Sequence, residues 1–357
     1  MLFRIYSAES PRRAHPDRFA STIVEGIVSD LLRRDPYSLA DIHATVGHNG
    51  SDYVHISGNI SSDVSVEELR ETTYEWIRDL ARRLGYNNQN GFDPVNFSLE
   101  WRVAPQSQAL QTNGKRTAVG DSRTVAGYAC NETVDLLLPK AVVVAQKISD
   151  ALDKVYTDGT IPYLGPDGKV QVTYRGGKKI ITIHAQHKPN INRSVLEKQI
   201  IEHIVEPIVG NGFEVKVNSP VAPFAEGGPR ADAGESNEKL CAYGEAIPRY
   251  GGIFWGKDPT KPEVFAFLKA RQLAVRNLII SGADRCYVEL AYSIGNPHPD
   301  DILIDTEPST NGAHYEDDEL LAGNIIKEFN LRDPEVFSKI TASRLIGELS
   351  LPWEKIA

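Results

Sequence analysis

Short β-strand patterns alternate with amphipathic helix patterns along this chain, and this alternation limits the folds open to it. A strand pattern from Val54 to Ser61 precedes a helix pattern from Val66 to Leu84. A hairpin pattern centred on Gly176-Gly177 precedes an amphipathic segment from Arg193 to Val209, and another strand pattern, Cys286 to Tyr292, lies between two helix patterns. Strand-pair-plus-helix units thus occur three times, without a clear sequence repeat. They predict stacked α+β domains, and 357 residues suit two or three units of about 100–150 residues.

The composition is typical of a soluble globular protein. Hydrophobic residues make up 41% of the chain and charged residues 24%, with a formal net charge of −9. This acidity argues against nonspecific binding of nucleic acid, and no apolar run of about 18 residues predicts a membrane helix. Without a cationic and apolar leader, we expect a cytoplasmic protein. Cys130, Cys241 and Cys286 lack CxxC spacing, which predicts buried, inert thiols rather than disulfides or a zinc site.

The segment from Phe224 to Glu263 concentrates glycine and lysine. It contains two glycine-rich turns and three lysines, namely Gly227-Gly228-Pro229, Gly251-Gly252, Lys239, Lys257 and Lys261. Glycine lets a backbone approach a ligand closely, and cations concentrated in an acidic protein are typical of a polyphosphate site. Lys257 and Lys261, four residues apart near a predicted helix start, would point in the same direction. The alternative is a surface loop with solvated lysines.

The first helix pattern is preceded by a predicted opening strand, Leu2 to Tyr6, and by His15-Pro16-Asp17-Arg18. Asp17 can cap this helix, in which case His15 is an ordinary turn residue. Alternatively, Asp17 is a metal-binding carboxylate beside an anion-binding histidine and arginine. Both interpretations remain open at this point.

Two further features have alternative interpretations. The segment from Ala104 to Gly120 lacks periodicity and is either a disordered connection or a mobile lid. Lys169, at the start of a hairpin strand, could reach a phosphate or remain an exposed turn lysine.

Together these segments resemble the methionine adenosyltransferases, also called S-adenosylmethionine synthetases, along almost the whole chain. The resemblance rests on the order and spacing of several motifs: Ser7-Ala8-Glu9-Ser10, His15-Pro16-Asp17, Gly120-Asp121, Gly127-Tyr128-Ala129, Asn131-Glu132-Thr133, Pro166-Asp167-Gly168-Lys169, Gln186-His187, Gly227-Gly228-Pro229, Asp232-Ala233-Gly234, Gly256-Lys257-Asp258-Pro259-Thr260-Lys261, Ala283-Asp284-Arg285-Cys286 and Pro352-Trp353-Glu354-Lys355. It implies an α+β fold of three similar α/β sandwich domains about a pseudo-threefold axis. We expect domains at 1–103, 121–223 and 224–357, with a mobile active-site loop at 104–120. The resemblance also implies a homodimer or homotetramer whose active sites are shared between subunits.

In that family the sulfur of methionine displaces the whole triphosphate chain from C5′ of ATP, and the tripolyphosphate is then hydrolysed. Such a displacement needs a near in-line approach and fixed cations that stabilise the leaving group. The resemblance therefore implies Mg²⁺ as a cofactor.

The resemblance also implies roles for individual residues. His15 would lie beside the breaking C5′–O bond, and Asp17 and Glu263 would hold Mg²⁺. The residues expected at the nucleotide and its phosphate chain are Arg18, Asp167, Lys169, Phe224, Lys239, Lys257 and Lys261. With His15, three of these, Lys169, Lys257 and Lys261, are expected to be catalytic. The residues expected at the amino-acid substrate are Asn59, Gln106, Asp121 and Asp232.

Several positions depart from the family pattern. Asn59 stands where the family has a methionine-binding glutamate, so a charge that would pair with the α-ammonium group is missing. His43 stands where a potassium-linked glutamate is expected, which weakens any prediction of K⁺. Glu238 replaces an arginine, and its carboxylate would repel a triphosphate unless it binds metal or turns away. His184 and the segment from Val221 to Phe224 also differ, and both belong to the expected base pocket.

Three hypotheses follow from these residues. The leading one is a metal-dependent enzyme that alkylates the thioether sulfur of methionine with ATP. The second is a specialised paralogue that uses another nucleotide, such as CTP, or another thioether. The third is a non-catalytic nucleotide-binding partner of a true synthetase. Under either enzyme hypothesis, Lys257→Ala should reduce turnover by orders of magnitude and leave the fold intact.

Overall fold

Helices and three β-sheets build the described part of the protein, which confirms the predicted α+β class. The computed structural model describes residues 4–245, 247, 253–309, 314–342 and 344–355. Gly251 and Gly252, which form the second predicted glycine-rich turn, lie outside these ranges. Within them, no helix is long and apolar enough to cross a membrane.

The three sheets take their strands from distant parts of the chain. In spatial order, sheet I joins β4 (Phe97–Pro105), β3 (Asp52–Ser61), β2 (Leu39–His48) and β9 (Gly234–Glu235). Sheet II joins β1 (Ser7–Pro11), β6 (Leu164–Arg175), β7 (Lys178–His187) and β8 (Glu214–Val217). Sheet III joins β11 (Asp301–Glu307), β10 (Arg285–Tyr292) and β5 (Arg123–Cys130).

Helices pack against each sheet. In chain order they are α1 (Pro16–Arg34), α2 (Val66–Leu84), α3 (Gln108–Thr117), α4 (Lys140–Thr157), α5 (Arg193–Ile200), a π-helical turn (Ile201–Val205), α6 (Glu206–Val209), α7 (Gly228–Ala231), α8 (Pro262–Ser281), α9 (Ala322–Glu328) and α10 (Pro334–Ala342), with 3₁₀ turns at Asp317–Leu320 and Pro352–Glu354. Helices α1 and α2 contact sheet I, α4 contacts sheet II, and α8 contacts sheet III.

Local sequence explains the best-defined elements. Helix α2 begins where the Ser65 side chain accepts the N–H of Glu68, and it ends at Gly85 in the left-handed conformation. The β6–β7 hairpin turns at Gly176 and Gly177, which both have positive φ angles, as a tight two-residue turn requires.

Close packing between elements explains Gly127 of β5. A Cβ atom at this residue would lie 2.1 Å from the backbone of Ala270 in α8. Sheet III can therefore approach α8 closely only with glycine at this position. Cys130 and Cys286 lie buried on the neighbouring strands, and Cys241 is also a buried free thiol, as predicted.

Alternation along β2 gives sheet I one face toward the core and another toward the site. Ile42 and Ala44 are buried, whereas the intervening His43 is exposed and Asp41 is half-buried. The ladder pairs Asp41 with Asn59 of β3. Polar groups of β2 and β3 are thereby presented beside the loop that precedes α8.

Two local predictions were wrong. Residues 4–6 are not in a strand, and the first strand is β1, which pairs with β6. The segment 104–120 is not a disordered connection, because Ala104 and Pro105 end β4 and Gln108–Thr117 form α3, capped by Ser107. The alternative of a mobile lid stays a prediction.

Candidate functional site

His15 is the N-terminal cap of α1, so the prediction that Asp17 caps this helix was wrong. The Nδ1 atom of His15 accepts the backbone N–H of Asp17 at 3.3 Å, which leaves the proton of the neutral ring on Nε2. Burial, with the charges of Lys169, Lys239 and Arg18, lowers the pKa of His15 to about 3. The ring is thus neutral at physiological pH and offers an Nε2–H donor.

Asp17 lies in the first turn of α1 with little solvent contact. Its Oδ1 accepts the backbone N–H of Glu235 at 3.0 Å, which links the helix to β9. Burial raises the pKa of the Asp17 carboxyl, while Lys239 acts in the opposite direction. The negative charge of Glu238 adds to the effect of burial. An added cation would therefore stabilise the ionised form.

Glu9 of β1 lies between two of the predicted phosphate-binding lysines. Its Oε2 is 3.3 Å from Nζ of Lys169 and 3.8 Å from Nζ of Lys239. The two lysine side chains are 35% and 19% exposed, so both can still reach a ligand. We call Glu9, His15, Asp17, Lys169 and Lys239 the Lys169–Lys239 group.

Asp167 is held at the start of β6 by backbone donors. Its Oδ2 accepts the N–H of Gly228 at 2.7 Å, and its Oδ1 accepts the N–H of Gly168 at 2.5 Å. Burial nevertheless raises the pKa of Asp167 to about 6. Arg12, which is fully buried, donates to the Asp167 carbonyl at 3.1 Å and to the Asp153 carboxylate at 2.8 Å.

Phe224, Asp232 and Arg18 lie on this side of the molecule. The carbonyl of half-buried Phe224 accepts the N–H of His187 at the end of β7. Asp232 is exposed, and its charge contributes to the raised pKa values of Asp17 and Asp167. Arg18 is buried and donates to the carbonyl of Pro11 at 3.3 Å. Asp232, which the resemblance implied at the amino-acid substrate, is thus near the Lys169–Lys239 group.

A second group forms around Asp41, which the sequence analysis did not identify. Asp41 Oδ1 is 2.5 Å from Nζ of Lys257, and Oδ2 is 3.8 Å from Nζ of Lys261. These lysine side chains are only 6% and 2% exposed. Lys257 forms a β-bridge with Asp41, and Lys261 is the N-terminal cap of α8, so the two lysines point in the same direction, as predicted, from different local structures. They meet at a common carboxylate.

The turn between the two lysines is fixed by Asp258. Its Oδ1 accepts the N–H and the hydroxyl of Thr260, at 2.8 and 2.6 Å, and its Oδ2 accepts the N–H of Ala40 at 2.9 Å. Asp258 is 1% exposed. These bonds tie the Lys257–Lys261 turn to β2 and keep both ammonium groups beside Asp41.

Asp121 and Glu263 complete the charges of this second group. Lys261 donates to the carbonyl of Gly120 at 3.2 Å, and its Nζ is 3.4 Å from Asp121 Oδ2. Glu263 is 4% exposed, and its Oε2 has no hydrogen-bond partner in the described part of the chain. Burial raises the pKa of Glu263, although Lys257 opposes the shift. We call Asp41, Asp121, Lys257, Lys261 and Glu263 the Lys257–Lys261 group.

Asn59 and Gln106 are polar neighbours of this group. Exposed Asn59 lies directly opposite Asp41 in the β2–β3 ladder. Gln106 follows β4, donates its backbone N–H to Ile60 at 2.7 Å, and has a buried Oε1 without a partner among the described residues. His43 is 47% exposed, and its Nε2 is 3.2 Å from Asp41 Oδ1.

The two predicted metal ligands fall into different groups. Asp17 interacts electrostatically with Lys239 and Glu238, whereas Glu263 interacts with Lys257 and Asp121. In the ranges that the structure describes, no three His, Cys, Asp or Glu side chains converge to hold a metal ion.

Sequence reasoning missed Glu9, Arg12 and Asp41 as parts of the site. Glu9 had a signal, since it stands in the Ser7 to Ser10 motif. Asp41 had none, because its contact with Lys257 depends on a bridge between residues far apart in the sequence. Arg12 acts through backbone carbonyls, which no side-chain pattern reveals.

Known proteins match this chain along almost its whole length. Family models of the N-terminal, central and C-terminal domains of S-adenosylmethionine synthetase match residues 4–108, 116–223 and 226–355. The S-adenosylmethionine synthase of Desulforudis audaxviator is 31% identical over 396 aligned residues, covering 100% of this chain and 97% of that protein. The S-adenosylmethionine synthase of Wolinella succinogenes is 34% identical, and the match covers 88% of this chain and 83% of that protein. The S-adenosylmethionine synthase of Clostridium tetani is 32% identical, and the match covers 99% of this chain and 97% of that protein. These matches confirm the resemblance and the three-domain architecture.

Proposed function

Because this chain belongs to the S-adenosylmethionine synthetase family, we propose that it transfers the adenosyl group of ATP to the sulfur of methionine. The observation that carries the proposal is the placement of the four predicted phosphate-chain lysines. Each group holds two of them beside a carboxylate that a polyphosphate can displace. The relatives named as S-adenosylmethionine synthases favour ATP and methionine over the specialised paralogue and the non-catalytic partner.

The reaction is a displacement at C5′. The sulfur lone pair forms the S–C5′ bond, and the electron pair of the C5′–O bond leaves with the triphosphate. Lys169, Lys239, Lys257 and Lys261 offset the negative charge that grows on this leaving group. His15 is neutral, so it acts by donating a hydrogen bond from Nε2 rather than by supplying a proton from an imidazolium.

The carboxylates present fit Mg²⁺, which prefers oxygen ligands. Asp17 would bind it from one group and Glu263 from the other, and Glu263 has a buried oxygen atom that lacks a partner in the described part of the chain. When bound, Mg²⁺ supplies further charge compensation on the triphosphate.

The active site belongs to a homo-oligomer in which the Lys169–Lys239 group of one copy faces the Lys257–Lys261 group of another. Two observations support this arrangement: Asp17 and Glu263 lie in separate groups, and the lysines are divided equally between the groups. A mixed dimer of Lys169→Ala and Lys257→Ala subunits then contains one intact site. We expect each variant alone to be nearly inactive and the co-purified mixture to regain activity. A mixture as inactive as its components would contradict the shared site.

Mass spectrometry tests the chemistry. The purified full-length chain is incubated with Mg²⁺, methionine and, separately, ATP, CTP, GTP or UTP. We expect a mass equal to S-adenosylmethionine with ATP, together with release of the triphosphate chain as phosphate and diphosphate. A sulfonium product formed only with another nucleotide, or no product at all, would refute the proposal. The cytoplasmic location expected from the sequence stays a prediction.

A further inference from the structure

Asn237 has no role in the mechanism above, yet its side chain joins the two segments that carry Lys239 and Lys257. Its Oδ1 accepts two consecutive backbone N–H groups, that of Phe254 at 2.8 Å and that of Trp255 at 2.7 Å. Its Nδ2 donates to the carbonyl of Trp255 at 3.0 Å. A single amide group thus makes three hydrogen bonds to backbone that lies 17 and 18 residues further along the chain.

The backbone groups that Asn237 binds are shielded from solvent. Phe254 and Trp255 are buried, so without the Asn237 side chain their N–H groups would lose an acceptor where water hardly reaches. Asn237 is itself fixed to α1, because its backbone N–H donates to Oγ of buried Ser21 at 3.1 Å. Its φ angle of 73° lies in the left-handed region, where asparagine is more common than most residues. Asn237 is therefore a fixed point for the backbone at 254–255.

The segment that Asn237 holds leads directly into Lys257. The carbonyl of Gly256 accepts a backbone N–H of β2 at 2.9 Å, and Lys257 forms a β-bridge with Asp41 in the same strand. These contacts tie the segment to sheet I, and Asn237 ties it to the turn that precedes Lys239. A displacement of the two residues before Gly256 would therefore move the ammonium group of Lys257.

We propose that Asn237 is a positioning residue that fixes Lys257 relative to the segment of Lys239. The inference rests on the proposed function, in which these two lysines of one chain serve different active sites of the homo-oligomer. Among the described residues, the Asn237 side chain bonds only to backbone groups of Phe254 and Trp255. It acts through the position of Lys257 and not by contact with the substrate.

The test is kcat of full-length Asn237→Gly for formation of S-adenosylmethionine from ATP and methionine. Glycine adopts the same positive φ angle without strain, so the substitution removes only the amide. We expect kcat to fall by about 10- to 100-fold, as for a catalytic group displaced by about 1 Å. Asn190→Gly is the matched control, because Asn190 is exposed, has a φ angle of 65° and makes no side-chain hydrogen bond in the described part of the chain. Its kcat should stay unchanged.

A double-mutant cycle separates positioning of Lys257 from a general loss of structure. In a Lys257→Ala background, Asn237→Gly should cause almost no further loss, because the lysine through which it acts is absent. In a Lys169→Ala background, the same fold-loss as in the wild type should remain. Single-turnover rate constants at high enzyme concentration make these weak activities measurable. An equal loss in both backgrounds, or wild-type kcat in Asn237→Gly, would overturn the inference.

Ser21→Ala decides the question if urea unfolding shows that Asn237→Gly does not fold. This variant removes the acceptor of the Asn237 backbone N–H and leaves the side-chain hydrogen bonds in place. The single-turnover rate constant should fall by a few-fold in the otherwise wild-type chain, the range of one hydrogen bond, and stay unchanged in a Lys257→Ala background. The same loss in both backgrounds, or no loss in either, would overturn the inference. Failure of the proposed function is distinct, since the wild type would then form no sulfonium from methionine and ATP.

Discussion

Replacement of Lys257 by alanine separates its chemical role from its structural one. Lys257 Nζ is 2.5 Å from Asp41, and the side chain is 6% exposed. Removal of one preorganised group that stabilises a developing charge costs about 3–4 kcal/mol in the transition state, or a factor of 10²–10³ in kcat. The structural cost is smaller, because Asp41 retains Lys261 at 3.8 Å and His43 at 3.2 Å. We expect a loss of about 1–3 kcal/mol in the free energy of unfolding.

Two measurements on the same preparation check this prediction. Formation of S-adenosylmethionine gives kcat and KM, and urea unfolding gives the free energy of unfolding. Lys154→Ala is the control, since this lysine is 78% exposed and pairs with Asp158 on the surface; kcat should stay unchanged and stability should change by less than about 1 kcal/mol. A Lys257→Ala enzyme with wild-type kcat would exclude Lys257 from the site. A variant that failed to fold would show that its role is structural.

Three further outcomes follow from the buried charges. Arg271→Ala should lower the free energy of unfolding, measured in urea, by about 3–5 kcal/mol. Arg271 and Glu354 form a buried ion pair, and the variant leaves the Glu354 carboxylate without this partner. A loss below about 1 kcal/mol would contradict the prediction. His15, with its pKa lowered to about 3, should give no inflection in the pH profile of kcat between pH 5 and pH 8. An inflection near pH 6.5 that disappears in His15→Asn would refute the role of His15 as a neutral hydrogen-bond donor. Burial raises the pKa of Asp167 to about 6, so ionisation of this carboxyl destabilises the fold as pH rises from about 4 to 6. Relative to wild type, the free energy of unfolding of Asp167→Asn should therefore increase by about 3 kcal/mol between pH 4 and pH 7. A difference that does not change with pH would be inconsistent with the raised pKa.

Elements with strong local signals were predictable from the sequence. Helix α2 extends over Val66–Leu84 as predicted, because its periodicity, its Ser65 cap and its Gly85 terminus all act within a few residues. The β6–β7 hairpin likewise forms around Gly176-Gly177, with Val172 opposite Ile181.

Strands that depend on distant partners were not predictable. Ser7–Pro11 is a short, largely polar segment that is a strand only because β6 pairs with it. Arg123–Cys130 likewise form a strand through their pairing with β10 in sheet III. Local propensity is a weak guide in both cases, since the ladder partner supplies the stabilisation.

The site shows the same division between local and distant signals. Lysine and glycine spacing predicted a polyphosphate site with Lys239, Lys257 and Lys261, and the family resemblance supplied the roles; both stay predictions for each residue. The sequence did not reveal how these charges are arranged in space. Lys257 and Lys261 meet at Asp41, which lies on another element of the fold. Asp17 and Glu263 were predicted as one metal site, yet they lie in different groups of the same chain.

Both groups hold their lysines with the same arrangement, in which one carboxylate contacts two ammonium groups. Glu9 contacts Lys169 and Lys239, and Asp41 contacts Lys257 and Lys261. Two ammonium groups brought together without an anion would repel each other. The carboxylate offsets this repulsion and holds both cations in place. Under the proposed function, the triphosphate competes with each carboxylate for the same two ammonium groups.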